Sequence, residues 1–299
     1  MTRIQENTGH AFVDAMLTLR RVDFVLWTRT GWDWNRILGA DGQQKARDMQ
    51  LAFLELARMV GRPVVGYHLD IWFGLGRQHQ LDEPFFKCDV MVTADGGHPD
   101  EFRDLGINHV WFPPAISRGE AEVGMFRDEF HSKIAFVGNW QGDYHKEHQH
   151  RHDLVAWLQK NYPNDCAFWP KRGQHAVRGK DLQDLYASVD VVVGDSCFAG
   201  TGLANYWSDR IPETLGRGGY LLHPDVPGLH DHYPVPIGPS TWEAGDWDHL
   251  GFMIESSLAL PIGQRKAITR LNRDWVVAND TYEVRMEQLV ELLSERNLL

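Results

Sequence analysis

The stretch SDRIPETLGRGGYLLHPDVPGL (residues 208–229) packs a helix start, a helix stop and a buried strand into one short run. Ser208 or Asp209 is placed to cap a helix, Pro212 suits its first turn, and the glycines of 216–219 end it. Residues 220–222 then read as a short buried strand. A helix start presents several unpaired backbone N–H groups and a partial positive charge, which suits it to holding a phosphate. Glu213 stands one turn inside that start, beside whatever is held.

Outward from this stretch, short apolar runs alternate with helical patterns. DFVLWT (23–28), PVVGYHL (63–69), CDVMVTA (88–94) and HVWFPP (109–114) read as strands. QKARDMQLAFLELARMV (44–60) reads as an amphipathic helix, and HPDEFRDLG (98–106) as a shorter one. A second series holds the strands KIAFVGNW (133–140), CAFWP (166–170) and DVVVGDS (190–196). Between them lie the helices HRHDLVAWLQKNY (150–162) and DLQDLYASV (181–189), and an amphipathic tail runs on from residue 261. Strands separated by helices imply right-handed crossovers and parallel sheets, so the expectation is α/β with two doubly wound halves. The stretch 112–130 is expected to link them.

Composition limits the function classes. The 299 residues are 43% hydrophobic and 24% charged, as in a water-soluble chain of one large or two small domains. Nothing approaches the roughly 20 apolar residues of a membrane span, and MTRIQENTGH is unlike a signal peptide, so a cytoplasmic protein without a membrane partner is expected. The widely spaced Cys88, Cys166 and Cys197 suggest buried thiols rather than disulfides or a zinc knuckle. A formal net charge of −11 disfavours nucleic acid as a partner, because affinity for it rests on neutralising phosphates, although one cleft can be basic on an acidic protein.

Two nucleotide motifs are nearly present. GLGRQH (74–79) has His79 where the third glycine of a dinucleotide fingerprint belongs. GQHAVRGKD (173–181) has one residue too many for a P-loop, and Asp181 replaces the hydroxyl that would ligate magnesium. HKEHQHRH (145–152) puts His148 and His152 at i, i+4, but no HExxH pattern or third carboxylate accompanies them, so a solvated helix start is expected and no metal site. Most of the twelve tryptophans should fill core. Trp32 and Trp34, in the polar loop TRTGWDWNR (28–36), are placed to stack on a sugar.

The order IAFVGNW, VRGKDLQDLYASVDVVVGDS, YWSDRIPETLGRGGYLLHPDVPGL and TYEVRMEQLVELL resembles the GT-B glycosyltransferases over about residues 130–295. It is most similar to the group 1 and spore-maturation-type branch and to enzymes of actinobacterial phages, whose N-terminal halves GYHLDIWFGLGR, TADGGH and HVWFPPAIS also resemble. The resemblance implies two Rossmann-like domains facing a cleft: an acceptor-side domain at 1–130, a nucleotide-sugar domain at 131–279, and a terminal helix at 280–299 crossing back to the first. Val284, Leu289, Val290 and Leu293 would pack there, with Tyr282 and Arg285 near the hinge.

It further implies that Glu213 bonds the ribose hydroxyls of a donor while the helix start faces the diphosphate. Ser208, Arg210, Lys171 and Arg172, with the backbone at Gly138 and Asn139, are the candidates for meeting phosphate charge. No DxD-type motif is evident, so transfer without a metal is expected. Relatives often carry a second glutamate eight positions before the first. Here Asn205 stands there, and an amide bonds sugar hydroxyls without supplying charge, leaving retention or inversion open. On the acceptor side, His68 and Asp70 of GYHLD, and Asp95 and His98 of TADGGH, follow strands, where open α/β sheets place ligands.

The function implied is transfer of a hexosyl or pentosyl group from a UDP- or GDP-linked sugar to a hydroxyl of a protein, glycan or small molecule, with no other cofactor. The alternatives are a noncatalytic nucleotide-binding GT-B protein and a phage-type DNA-base glycosyltransferase.

Overall fold

In this computed structural model four parallel strands, β1 (Val25–Thr28), β2 (Val64–His68), β3 (Val90–Thr93) and β4 (His109–Trp111), form one sheet in chain order. Five more, β5 (Ser132–Val137), β6 (Cys166–Trp169), β7 (Val189–Val193), β8 (Leu221–Pro224) and β9 (Ser240–Trp242), form a second parallel sheet in the order β6-β5-β7-β8-β9. The structure describes residues 14, 17–28, 39–73, 76–140 and 149–299. The chain divides into unit 1, Met1–Phe112 with Gln288–Leu299, and unit 2, Pro113–Glu287.

Within unit 1, β3 and the first four residues of β2 are buried throughout, the mark of parallel strands covered on both faces. Helix α1 (Gly39–Met59) buries Leu54 and Ala57 in one cluster with Val64 and Cys88. It begins before the residue expected from its apolar repeat. Helix α2 (Pro99–Asp104) buries Phe102 beside Phe73 and Ile107.

The core of unit 2 centres on β5 and β7, where Ile134 pairs with Val191. Onto it pack Leu154 and Leu158 of α3 (Gln149–Asn161) and Leu250 and Ile254 of α7 (Trp247–Ala259). The remaining helices are α4 (Gly179–Ser188), α5 (Arg210–Gly216), α6 (Leu229–His232), α8 (Ile262–Asn279) and α9 (Tyr282–Glu295). Among the described residues no helix is long and apolar enough to cross a membrane. None of the three cysteines forms a disulfide; contrary to the expectation of buried thiols, only Cys88 is fully buried while Cys166 and Cys197 are part-buried, and burial pushes the Cys166 thiol up to about 12.

The stretch 112–130 docks on α4, with Met125 N–H bonding Asp184 Oδ1 at 2.8 Å and Arg127 N–H bonding Ser188 Oγ at 2.8 Å. A Cβ on Gly124 would lie 2.2 Å from the Gln183 backbone, so only glycine passes there. The tail from residue 261 is two helices, α8 and α9, with a break at Asp280 and Thr281, at the expected start of the terminal helix.

Buried charge makes that break. Asp280, wholly buried, accepts from Arg285 Nη2 at 2.5 Å and pairs with His232 Nε2 at 2.8 Å. Arg285, also buried, donates to the carbonyls of Asn279 at 3.0 Å and Pro113 at 3.3 Å. The backbone adds a bridge, Ile116 N–H to Asp280 O and Tyr282 N–H to Ile116 O, each 3.0 Å. Helix α9 thus starts in unit 2 and ends in unit 1. Along it Leu289 and Leu293 are fully buried, whereas Val290, about 100° round the helix from Leu289, is exposed, contrary to its expected packing role.

Removing one partner of a buried pair strands the other charge. Asp280→Ala should therefore cost about 3–5 kcal/mol of unit 2 stability, read by denaturant unfolding. A loss below about 1 kcal/mol would mean Arg285 finds another acceptor.

Candidate functional site

Strand β5 lies between β6 and β7, so the chain leaves it first toward one neighbour and returns on the other side. The loops after β5 and β7 diverge at such a reversal, and in open α/β sheets ligands bind outside the carboxyl ends of the strands there. Among the described strands, unit 1 runs in chain order and unit 2 carries the reversal.

Helix α5 follows the loop from β7. Its start is held as expected at Ser208, whose Oγ accepts from Arg210 N–H at 3.2 Å, while Asp209 makes no side-chain capping bond. Pro212 sits in the first turn. At the far end Gly218, at φ 78°, and Gly219 return N–H bonds to Leu215 and Thr214.

Glu213 is bonded by Arg210 through Nη1, and neither is closed off: 19% of the Glu213 side chain and 24% of the Arg210 side chain stay exposed. Burial pushes the Glu213 carboxyl above the ordinary glutamate range, against the pull of Arg210, Arg217 and Arg178. Arg210 stays a firm cation: its burial penalty is overcome by Asp209 and Glu213. The backbone of Gly138 lies next to Arg210, since a Cβ there would be 3.8 Å from Arg210 Nε. Gly138 N–H is taken by Trp169 O at 2.9 Å, so this glycine contributes room rather than a donor.

Gly138, Ser208, Arg210 and Glu213 are thus brought together. The remaining expected donor-side residues lie elsewhere at the same carboxyl edge. Lys171 stands 4.8 Å over the Trp169 ring and is exposed, as is Arg172. Trp140 Nε1 donates to Pro170 O at 2.8 Å, tying the loop after β5 to the loop after β6. Asn205 adopts a left-handed φ of 54° and presses on Gly228, where a Cβ would meet its Oδ1 at 2.1 Å.

Several residues escaped the sequence reading. Arg178 and Arg217 reach Glu213 electrostatically, and Arg217 Nη1 bonds the Glu213 carbonyl at 3.0 Å. Asp195, directly after β7, is buried and takes His150 Nδ1 at 3.3 Å and Arg151 Nε at 2.5 Å. Part of the histidine-rich run therefore serves a carboxylate. His148 lies outside the described residues, as do Trp32 and Trp34. Among the described residues no cluster of three or more His, Cys, Asp or Glu is set to hold a metal.

In unit 1 the acceptor-side candidates are engaged with their own loops. Asp70 pairs with Arg77 Nη1 at 2.8 Å and accepts Ile71 N–H at 2.9 Å. His68 packs edge-on against Trp72 at 5.2 Å. Asp95 is fully buried; its Oδ2 accepts Trp72 N–H at 3.0 Å and Phe73 N–H at 3.1 Å, and burial pushes its carboxyl up against those bonds. His98, just before α2, pairs through Nδ1 with Glu101 at 2.9 Å and lies 4.8 Å from the Phe73 ring. Asp95 therefore shapes the 72–73 turn, while His68, Asp70 and His98 are part-exposed.

No protein-family model matches the chain, and no curated protein matches it in sequence. Solved structures match it in fold. Anabaena HepE, in complex with UDP-glucose, aligns with a TM-score of 0.59 at 12% identity, covering 98% of this chain and 85% of that one. An alpha-glucosyltransferase in complex with UDP-glucose and DNA containing an abasic site aligns with a TM-score of 0.59 at 10% identity, over 95% and 83%. A glycosyltransferase from Rickettsia africae ESF-5 aligns with a TM-score of 0.56 at 10% identity, over 98% and 83%. Two parallel α/β sheets, with a last helix that leaves unit 2 and ends in unit 1, give this chain the fold of the GT-B glycosyltransferases.

Proposed function

We propose that the chain is a glycosyltransferase that moves a hexosyl or pentosyl group from a UDP- or GDP-linked sugar to an acceptor hydroxyl without a metal ion. The observation that carries the reading is Glu213, held part-buried by Arg210 at the carboxyl edge of the reversed sheet in unit 2. The likeness in fold to proteins bound to UDP-glucose supports it. The sequence motifs resemble those of the spore-maturation-type and phage-encoded branch.

In this reading the ionised Glu213 accepts two ribose hydroxyl hydrogens. Arg210 has guanidinium N–H groups beyond the one bonded to Glu213, and these meet the diphosphate next to Gly138. Lys171 and Arg172 add charge at the rim, Asn139 and Ser208 polar contacts, and Asn205 an amide for the sugar. Transfer breaks the bond from the sugar C1 to the diphosphate oxygen, which leaves with the electron pair, and forms a bond from C1 to the acceptor oxygen. The hydroxyl proton goes to a base. His98 and Asp70 are proposed for the acceptor side, with His68 and Asp95 holding their loops. Stabilising the departing charge with fixed cations is the protein's main contribution.

A second reading, transfer to a DNA base, is favoured by the DNA-bound neighbour and opposed by the net charge of −11. Incubation with hydroxymethylated and plain DNA separates it from transfer to other hydroxyls. A noncatalytic binder would leave UDP-glucose and GDP-sugars intact even without acceptor.

Glu213→Ala should weaken binding of the donor nucleotide by about 1.5–3 kcal/mol, roughly ten- to a hundredfold, with the melting temperature little changed. Unaltered affinity by calorimetry would contradict the assignment. The sign of the pH dependence follows from the raised Glu213 carboxyl: binding needs the carboxylate, so affinity falls with falling pH at a midpoint above the ordinary 4.5. Glu213→Gln should abolish that acid limb. A limb that persists in Glu213→Gln assigns it to another group. Turnover should survive EDTA; activity lost to EDTA and restored by manganese would overturn metal independence.

A further inference from the structure

Asp195 and Asn139 lie just beyond the carboxyl ends of β7 and β5, on the two sides of the strand reversal. A side chain from α3 joins them. Arg151 gives Nε to Asp195 Oδ2 at 2.5 Å and Nη1 to the Asn139 carbonyl at 3.3 Å. His150, from the same turn of α3, gives Nδ1 to Asp195 Oδ1 at 3.3 Å and stacks on Trp247 at 5.7 Å. The guanidinium is a planar fork, so both bonds are met only when the carboxylate holds it at one angle.

A carboxylate is a costly choice for a site that needs only filling. Asp195 is 3% exposed, and burial alone would raise its pKa; His150 and Arg151 reverse that and hold it below the ordinary aspartate range. Apolar replacements of such pairs often stabilise as well, so stability alone does not account for a buried carboxylate here. The arrangement fixed here is the loop carrying Gly138, whose backbone lies against Arg210.

We propose that Asp195 is a positioning residue for the diphosphate end of the donor site: it orients Arg151, which pins the Asn139 carbonyl and sets the Gly138 backbone against Arg210. This rests on the donor-binding role of unit 2. Asp195 acts only through Arg151 and the loop at 138–139, so its removal is expected to act on the phosphates. Asp195→Asn keeps the shape and loses the charge. Arg151→Ala removes the fork from a part-exposed side chain and covers the case in which Asp195→Asn does not fold.

The test is calorimetry of the full chain with UDP, GDP, uridine and guanosine, on wild type, Asp195→Asn, Arg151→Ala, the double variant and Glu213→Ala. Each single variant should bind the preferred diphosphate about fivefold or more weakly, change the matching nucleoside by less than about twofold, and gain no further loss in the double variant. A folded Asp195→Asn with wild-type diphosphate affinity, or equal losses for diphosphate and nucleoside, would overturn the inference while Glu213→Ala still reports on the donor site. Wild type that binds neither UDP nor GDP would overturn both.

Discussion

Everything at the carboxyl edge of unit 2 depends on the position of β5 between β6 and β7. Right-handed crossovers from a strand with parallel neighbours on both sides must leave on opposite faces, so the loops after β5 and β7 part and cannot close over each other. What fills that opening has to be polar, because backbone groups at strand ends remain to be satisfied. Arg210 and Glu213 enter it from α5, Arg151 and His150 from α3. The proposed site follows from this topology, with charge supplied by the two helices whose starts reach it.

Buried charge recurs in unit 2 and is spent on fixing chain direction. Asp184 receives the 112–130 stretch, Asp280 sets the turn from α8 to α9, and Asp195 ties two loops across the strand reversal. Each carboxylate is buried and each has an arginine or lysine bonded to it. Such pairs add little net stability compared with apolar packing, yet they tolerate only one geometry. A donor contact that must be met by several groups at once gains from that rigidity.

The strands were the legible part of the chain. Continuous apolar runs such as those at β2, β3 and β7 can be read because both faces are covered, and the α5 segment because its capping, proline and glycine signals agree. Residues 230–260 yielded nothing beforehand, yet they hold β9 and α7. Strand β9 has three residues, too few for a period, and α7 has aromatic and glycine residues scattered round its surface. The resemblance placed the start of the terminal helix at residue 280, but the cause of the break there, Asp280 with Arg285 and His232, is brought together only by folding. Glu213 and Arg210 could be singled out because motif and local spacing coincide, and the structure pairs them. Asp195 was missed because its partners lie 44 and 45 residues away, and the histidines that hold one's attention in the sequence include the one that serves it.

The account's central claim is that the carboxyl edge of unit 2 is where a nucleoside diphosphate is held. Backbone amide hydrogen exchange of the full chain, with and without saturating UDP or GDP, tests it directly. The account predicts added protection at residues 138–140 and across 195–213, with unit 2 strands unchanged. Protection confined to unit 1, or none in either segment with the nucleotide bound, would contradict it.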